Sequence, residues 1–308
     1  MPGFALHRLL IYTIRDAWLQ SEINLPLDLK SPAIMNAMLV GGCIPDLMSG
    51  TNPEGFHTGL AHYIKTGSFA RNLVDAARTP VQKAFAWGWV NHVIADTRIH
   101  PFINRHCQEI KYRRFGKGLS YADDPILHIQ VETGVDVYAW NTYAHVRDMS
   151  YLASPNDSCS ELLCIALNKT YGLDLAASTI TRSLIKGIRM ARLAPWLMNV
   201  FAGDWYDNHS QSAPFPFLLL VRLMAFLTGL VDRRANLYAL THLKKPSDKL
   251  ISDILDAITQ CKNEFTEMQH AGIGSLKDWN LDTGRLEIDS LDYPLYLKTK
   301  AELEAYCR

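Results

Sequence analysis

Residues 87–102 read WGWVNHVIADTRIHPF, an apolar stretch in which His92, Asp96 and His100 recur every fourth residue. Positions four apart lie on one face of an α-helix, with Cβ atoms roughly 6 Å apart, so two such side chains can share a cation. Burying polar groups among tryptophan, valine and isoleucine costs several kcal/mol unless they are paired or bound to a metal. The stretch predicts a buried helix that carries a row of polar side chains.

A second stretch repeats this spacing. Residues 124–140 read DPILHIQVETGVDVYAW, in which His128, Glu132 and Asp136 are again four apart in an apolar setting. A single histidine and carboxylate four residues apart are often joined by an ordinary hydrogen bond without a metal. Two helices that both carry this spacing are less easily explained by chance. Imidazole nitrogens together with carboxylate oxygens suit zinc. The spacing predicts a metal site between two helices and leaves a hydrogen-bonded core as the alternative.

Helical patterns also extend through the rest of the chain, and period-two alternation is hard to find. The predicted helices cover residues 4–20, 57–76, 80–98, 125–150, 159–171, 176–201, 215–243 and 247–270, with a short final helix at 297–306. Residues 33–41 are apolar and lead into a segment whose glycine and proline content predicts a long loop. Proline disfavours a continuing helix, so Pro101 is expected to end or kink the helix at 80–98 near His100. Residues 107–124 are expected to form a loop, and the tail from residue 271 is expected to be loop-like.

These patterns predict an all-α fold. We expect one multi-helix domain over residues 1–308, in which residues 1–150 carry the chemistry and residues 151–308 buttress them. The composition is that of a globular protein, with 48% hydrophobic and 20% charged residues.

Charge and cysteine content narrow the class of protein further. Lys+Arg and Asp+Glu both number 31, whereas a protein built to hold nucleic acid usually carries a basic excess. Nucleic acid is therefore not the expected partner.

The N-terminal residues show no secretory pattern, and the six scattered cysteines contain no CxxC pair. They are interpreted as reduced thiols of a cytoplasmic protein.

The most apolar run is FPFLLLVRLMAFLTGL, at residues 215–230. It is short for a membrane span, and Arg222 interrupts it. We interpret it as a buried helix and keep peripheral contact with a membrane surface as the alternative.

Several segments together resemble a known family. In chain order they are MPGFALH, CIPDL, AHYIKTGSF, AWGWVNHVIADTRIHPFIN and HIQVETGVD. This order resembles the bacterial zinc-dependent phospholipase C family, which is similar in fold and site to the fungal single-strand-specific zinc nucleases. The resemblance covers roughly residues 1–145, and it implies a bundle of helices with up to three zinc ions at the bottom of a cleft.

The resemblance also implies a ligand set on the two helices. His92 and Asp96 match ligands of the first site, and Asp96 would bridge two metals. His100, His128 and Glu132 would complete a second site.

Further ligands are implied outside those helices. His62, in LAHYIKTG, matches a histidine of the first site, with His57 as the fallback because the preceding loop varies. His7 matches the N-terminal histidine of the third metal, and Asp46, in IPDL, matches an aspartate that acts as a general base or an additional ligand. Asp136 is expected to orient a ligand histidine.

One departure from the family concerns the third metal. In the secreted phospholipases, the amino-terminal residue of the processed chain helps to hold it, and this chain shows no signal peptide to be removed. We therefore expect two or three zinc ions, with a third site that is weaker, differently completed or empty.

The implied function is the hydrolysis of a phosphate ester, either of a phospholipid or of another small phosphodiester. Two divalent ions about 3.5–4 Å apart can activate water and neutralise charge on a phosphoryl group. Asp46 is the candidate catalytic residue, because it could take up or align the proton of that water.

Three alternatives stay open. A biosynthetic metalloenzyme could use the same site on a non-lipid compound, by hydrolysis, elimination or cyclisation. A di-iron carboxylate protein is disfavoured because the ExxH spacing is missing. A non-catalytic helical interaction protein would have lost its metal. The sequence leaves the oligomeric state open.

Overall fold

The computed structural model describes residues 3–20, 27–49, 56–113, 116, 118–149, 157–201, 223 and 242–287. These residues form ten α-helices: α1 (Phe4–Gln20), α2 (Pro32–Cys43), α3 (Pro45–Ser49), α4 (Phe56–Tyr63), α5 (Thr66–Ala76), α6 (Pro80–Tyr112), α7 (Pro125–Thr142), α8 (Asp157–Tyr171), α9 (Ala177–Phe201) and α10 (Asp248–Ala271). Short 3₁₀ turns follow α7 and α10, at Ala144–Arg147 and Ile273–Ser275. The fold is all-α, as the sequence predicts.

The only strands within the described ranges form a small hairpin, in which β1 (Trp279–Asn280) pairs antiparallel with β2 (Arg285–Leu286). It lies in the tail that was expected to be loop-like. The predicted helix at 297–306 and the apolar run at 215–230 fall outside the described residues except for position 223. Of the predicted helix at 215–243, only positions 223, 242 and 243 are described, and the last two are not helical. No helix of the described ranges is both long and apolar enough to cross a membrane.

Helix α6 is the centre of the fold, and it packs against α1, α2, α5, α7 and α10. Its start is fixed by a capping box, in which the Thr79 side chain accepts from the N–H of Gln82 at 3.2 Å and the Gln82 side chain accepts from the N–H of Thr79 at 3.2 Å. This arrangement satisfies two of the N–H groups that every helix start leaves open.

Of the two outcomes expected at Pro101, a helix end or a kink, the helix end does not occur. Helix α6 continues through Pro101 to Tyr112. Arg113, whose φ is 52°, caps its C-terminal end. Residues 107–112, which were expected to be loop, are therefore helical. A proline inside a helix costs about 3 kcal/mol. Here Ile99, Ile103 and Cys107 are fully buried on both sides of the proline, and this burial offsets the cost.

Two other helix bounds also differ from the predictions. The predicted helix at 57–76 is divided between α4 and α5, because Lys65 adopts the left-handed conformation with a φ of 51°. The helix predicted to reach residue 150 ends at Thr142.

Close contact between α2 and α6 depends on glycine. A Cβ atom on Gly41 would lie 2.1 Å from the carbonyl oxygen of Phe85, and one on Gly88 would lie 2.2 Å from that of Met38. The two helix backbones therefore touch, and this contact sets the position of α6 beside the residues that follow.

Candidate metal centre

Three helices bring four candidate ligands to one buried point. His7 from α1, Asp46 from α3, and His92 and Asp96 from α6 each offer a ligand atom, and these atoms all lie within 4.8 Å of one another. Nε2 of His7 lies 3.3 Å from Oδ2 of Asp46 and 3.3 Å from Oδ1 of Asp96. The spacing of four along α6 places Nε2 of His92 3.3 Å from Oδ2 of Asp96.

His62 joins this cluster from α4. Its Nε2 atom lies 3.1 Å from Oδ1 of Asp46 and 2.9 Å from Nε2 of His92. Three imidazoles and two carboxylates thus converge on the same space. His57, the alternative to His62, also lies on α4, but its side chain is outside the described part of the structure.

The backbone of α2 orients His92. The Nδ1 atom of His92 lies 3.2 Å from the carbonyl oxygen of Gly42, and a carbonyl oxygen can only accept. The hydrogen bond therefore favours a proton on Nδ1 and turns the lone pair of Nε2 towards the carboxylates, as in many metal-ligating histidines. The glycine contact between α2 and α6 holds this carbonyl within reach.

The cluster has the properties expected of a cation site. His7 and Asp96 are completely buried, and within the described residues neither nitrogen of His7 and neither oxygen of Asp96 has a hydrogen-bond partner. Buried polar atoms in proteins are nearly always satisfied. A cation among these atoms would satisfy them, and imidazole with carboxylate is a donor set that zinc takes in tetrahedral sites. The residues present therefore fit zinc.

The protonation of the metal-free cluster follows from its charges. Burial acts to lower the pKa of His7, but the nearby carboxylates of Asp46 and Asp96 overcome it and raise the pKa to about 10. Burial lowers the pKa of His92 to about 4, although the carboxylates of Asp96 and Asp46 act to raise it. Charge on His7 and His62 lowers the pKa of His92 further. The surrounding imidazoles keep the pKa of Asp46 well below its ordinary value, despite burial. Without a metal, one proton is held at His7.

A second group lies where α6 faces α7. Nε2 of His128 is 3.4 Å from Oε2 of Glu132, and the ring centroids of His100 and His128 are 5.4 Å apart. Nδ1 of His100 hydrogen-bonds to the carbonyl oxygen of Leu281. Among the described residues, these three ligands do not bring one atom each within 4.8 Å of one another, as the first group does.

Burial governs the charges of this second group. It lowers the pKa of His100 and His128 well below the ordinary value and raises that of Glu132 well above it. Burial therefore favours the neutral form of all three groups while no cation is bound. A divalent ion would reverse this preference at Glu132, because it favours the carboxylate.

The structure places Asp136 at the start of α1. Its Oδ1 atom accepts from the N–H of Leu6 at 3.1 Å, and a Cβ atom on Gly3 would lie 1.8 Å from its Oδ2 atom. Burial raises the pKa of Asp136 to about 7, although these backbone donors oppose the shift. Asp136 therefore caps the helix that carries His7.

Sequence reasoning missed the main-chain groups that hold the imidazoles. The carbonyl oxygens of Gly42 and Leu281 contact His92 and His100, and a carbonyl is common to every residue. No side-chain pattern could have indicated them.

Comparison with known proteins agrees with this geometry. A family model described as zinc-dependent phospholipase C matches residues 11–174, which is more than half of the chain and includes every candidate ligand except His7. Searches of curated proteins and of solved structures found no match. The ligand-bearing helices, the buried cluster and this match lead to one conclusion: the chain belongs to the zinc-dependent phospholipase C family.

Proposed function

We propose that this protein is a zinc-dependent hydrolase that cleaves a phosphate ester. The observation that carries the proposal is the buried cluster of His7, Asp46, His92 and Asp96, whose ligand atoms lie within 4.8 Å of one another. Membership of the zinc-dependent phospholipase C family supports the same reaction class.

The ligands divide into three positions. Asp46, His62, His92 and Asp96 would hold the first ion, and His100, His128 and Glu132 the second. His7 would hold a third ion together with Asp96. This division is supported by the two oxygens of Asp96, since Oδ1 faces His7 and Oδ2 faces His92, each at 3.3 Å.

Zinc ions bound there would act as Lewis acids on a phosphoryl oxygen and on water. The chain's own contribution is to position and exchange protons. Asp46 is ionised at neutral pH because three imidazoles lower its pKa, so its carboxylate can accept a proton from an attacking water. Its side chain is 8% exposed, which makes it less enclosed than Asp96 at 0%.

The substrate class follows from this chemistry. Phosphate diesters, of which phospholipid head groups are one kind, offer the anionic oxygens that a group of divalent cations attracts. We propose a phospholipid or a small phosphodiester as the substrate.

The test combines metal analysis with two substrates. Elemental analysis of the purified protein is expected to show two or three zinc ions per chain. Hydrolysis of bis-p-nitrophenyl phosphate and of phosphatidylcholine vesicles is then measured before chelation, after chelation and after zinc is restored. We expect activity to disappear with the metal and to return with it.

Asp46→Asn tests the catalytic assignment, with Asp16→Asn on the exterior of α1 as the matched control. We expect Asp46→Asn to lower kcat by about 100-fold or more, within the range of general-base contributions, and Asp16→Asn to leave it unchanged. A protein without zinc would exclude the metal site. A fully loaded protein that hydrolyses neither substrate would exclude the phosphoesterase.

A further inference from the structure

Residues 276–287, which we call the clasp, contain the β1–β2 hairpin and follow the family match that ends at residue 174. The main chain of Leu281 in the clasp contacts both groups of candidate ligands. Its N–H donates to the carbonyl oxygen of His62 at 2.9 Å, and its own carbonyl oxygen accepts from Nδ1 of His100. One residue therefore connects the element that carries His62 with the imidazole of the second group.

The tip of the clasp also joins α6 to the segment before α7. The carboxylate of Asp282 accepts from the N–H groups of Tyr121 at 2.9 Å and Ala122 at 3.3 Å. The carbonyl oxygen of Asp282 accepts from Nδ2 of Asn104 at 2.6 Å. Helix α7 starts two residues beyond Asp123, so these bonds fix the approach of the helix that carries His128.

The clasp is held rigidly at its own turn and at its base. Oδ1 of Asn280 accepts from the N–H groups of Asp282 at 3.1 Å and Thr283 at 3.2 Å. At the base, the N–H of Trp279 donates to Oγ1 of Thr66 at 2.8 Å, and that hydroxyl donates to the Trp279 carbonyl oxygen at 2.9 Å. Leu281 and Asp282 are buried, so water does not compete for these bonds.

The contact between Leu281 and His100 fixes which ring nitrogen of His100 is available to bind a metal. Because a carbonyl oxygen can only accept, Nδ1 of His100 carries the proton and Nε2 carries the lone pair. Nε2 of His100 is buried and has no hydrogen-bond partner within the described ranges, and its ring lies beside that of His128. The clasp therefore presents Nε2 to the second group.

We propose that residues 276–287 are a positioning element of the second zinc site, with Asp282 as the residue that locks the element in place. The proposal rests on the proposed zinc-dependent function. Partners that orient metal ligands typically change metal affinity by about 10–100-fold when they are removed. Removing the contacts of Asp282 should therefore weaken one zinc ion and leave the others bound.

The experiment measures zinc content and affinity in the full-length protein and in three variants. Asp282→Ala removes the acceptors for Tyr121 and Ala122, and Asn104→Ala removes the donor to the Asp282 carbonyl oxygen. Arg285→Ala is the control, because Arg285 lies in the same hairpin and its side chain is exposed. Zinc is counted after dialysis, and affinity is measured by competition with a chromophoric chelator.

We expect Asp282→Ala and Asn104→Ala to lose about one zinc ion per chain, or to bind it about 10-fold or more weakly, whereas Arg285→Ala matches the wild type. A wild type that binds zinc, with Asp282→Ala and Asn104→Ala both indistinguishable from it, would overturn the role of the clasp and leave the proposed function intact. A wild type without zinc would overturn both.

Histidine-selective ¹⁵N NMR of the zinc-loaded wild type gives a second measurement that needs no folded variant. The clasp requires a proton on Nδ1 of His100 and coordination through Nε2. Coordination through Nδ1 would overturn it even if the clasp variants fail to fold.

Discussion

Nε2 of His7 lies 3.3 Å from Oδ1 of Asp96, although His7 lies on α1 and Asp96 lies on α6, far along the chain. The other oxygen of Asp96 is 3.3 Å from Nε2 of His92. A carboxylate with one imidazole at each oxygen can serve two cations at once. Asp96 is therefore the side chain on which the proposed first and third metal positions would both depend.

Replacing this carboxylate should remove metal. We expect Asp96→Ala to lose zinc from both positions, with an affinity loss beyond the roughly 10–100-fold that outer partners of a ligand cause. His270→Ala serves as the control, since His270 is exposed near the end of α10. Elemental analysis after dialysis measures the outcome, and full zinc content in Asp96→Ala would refute the assignment.

Zinc binding should release a proton from His7. Its pKa of about 10 means that His7 is protonated at pH 7 in the metal-free protein, and an imidazole must lose that proton before its Nε2 can coordinate. Apparent zinc affinity should therefore rise with pH between about 7 and 10, by up to about tenfold per pH unit.

Calorimetry in two buffers of different ionisation enthalpy measures this release. We expect about one proton fewer to be released by His7→Gln than by the wild type at pH 7. Equal release by the two proteins would show that His7 does not bind the metal.

The glycine contact between α2 and α6 should control both stability and metal affinity. A Cβ atom on Gly88 would lie 2.2 Å from the carbonyl oxygen of Met38, so Gly88→Ala must separate the helices and draw Gly42 away from His92. Overpacking of this kind costs typically about 1–3 kcal/mol of unfolding free energy. Urea unfolding measures the cost, and chelator competition measures the zinc.

Gly274→Ala is the matched control, because a Cβ atom there would have no neighbour within 4 Å. If Gly88→Ala were as stable as this control, the close approach of the two helices would be wrong.

Asp136 should act on stability through the start of α1. Its carboxylate accepts from the N–H of Leu6 at 3.1 Å, and the loss of a helix cap costs about 0.5–2 kcal/mol. We expect Asp136→Ala to lower the unfolding free energy by about that amount and to weaken binding of the zinc ion that His7 is proposed to hold. Asp16→Ala, farther along the same helix, should change neither quantity. Retention of full stability in Asp136→Ala would contradict the capping role.

The helical rows of candidate ligands were predictable from the chain because they follow local geometry. The spacing of four in α6 brings His92 beside Asp96, and the same spacing in α7 brings His128 beside Glu132. His7 and Asp46 carry no such local signal, so they were found through the family resemblance. The division of the chain into one domain and the roles of the individual ligands stay predictions.

Other features depended on contacts that local sequence does not encode. Proline usually ends a helix, yet α6 continues past Pro101 because the surrounding burial outweighs the lost hydrogen bond. Lys65 breaks the predicted helix at 57–76, and its N–H donates to Glu287 in the clasp. The clasp contacts the rest of the protein largely through main-chain groups, and such contacts cannot be predicted from residue types.

The continuation of α6 through Pro101 has a consequence for laboratory work on this protein. A Cβ atom on Gly284 would lie 2.6 Å from the carbonyl oxygen of Thr97 and 2.6 Å from the Pro101 ring, so the hairpin turn sits directly against the helix where proline offers no N–H. An expression fragment cut to the family match, residues 11–174, would lack the hairpin that packs against the helix at Pro101 and would also omit His7. Shortened versions designed from family similarity alone would therefore be poor reagents for studying the metal chemistry.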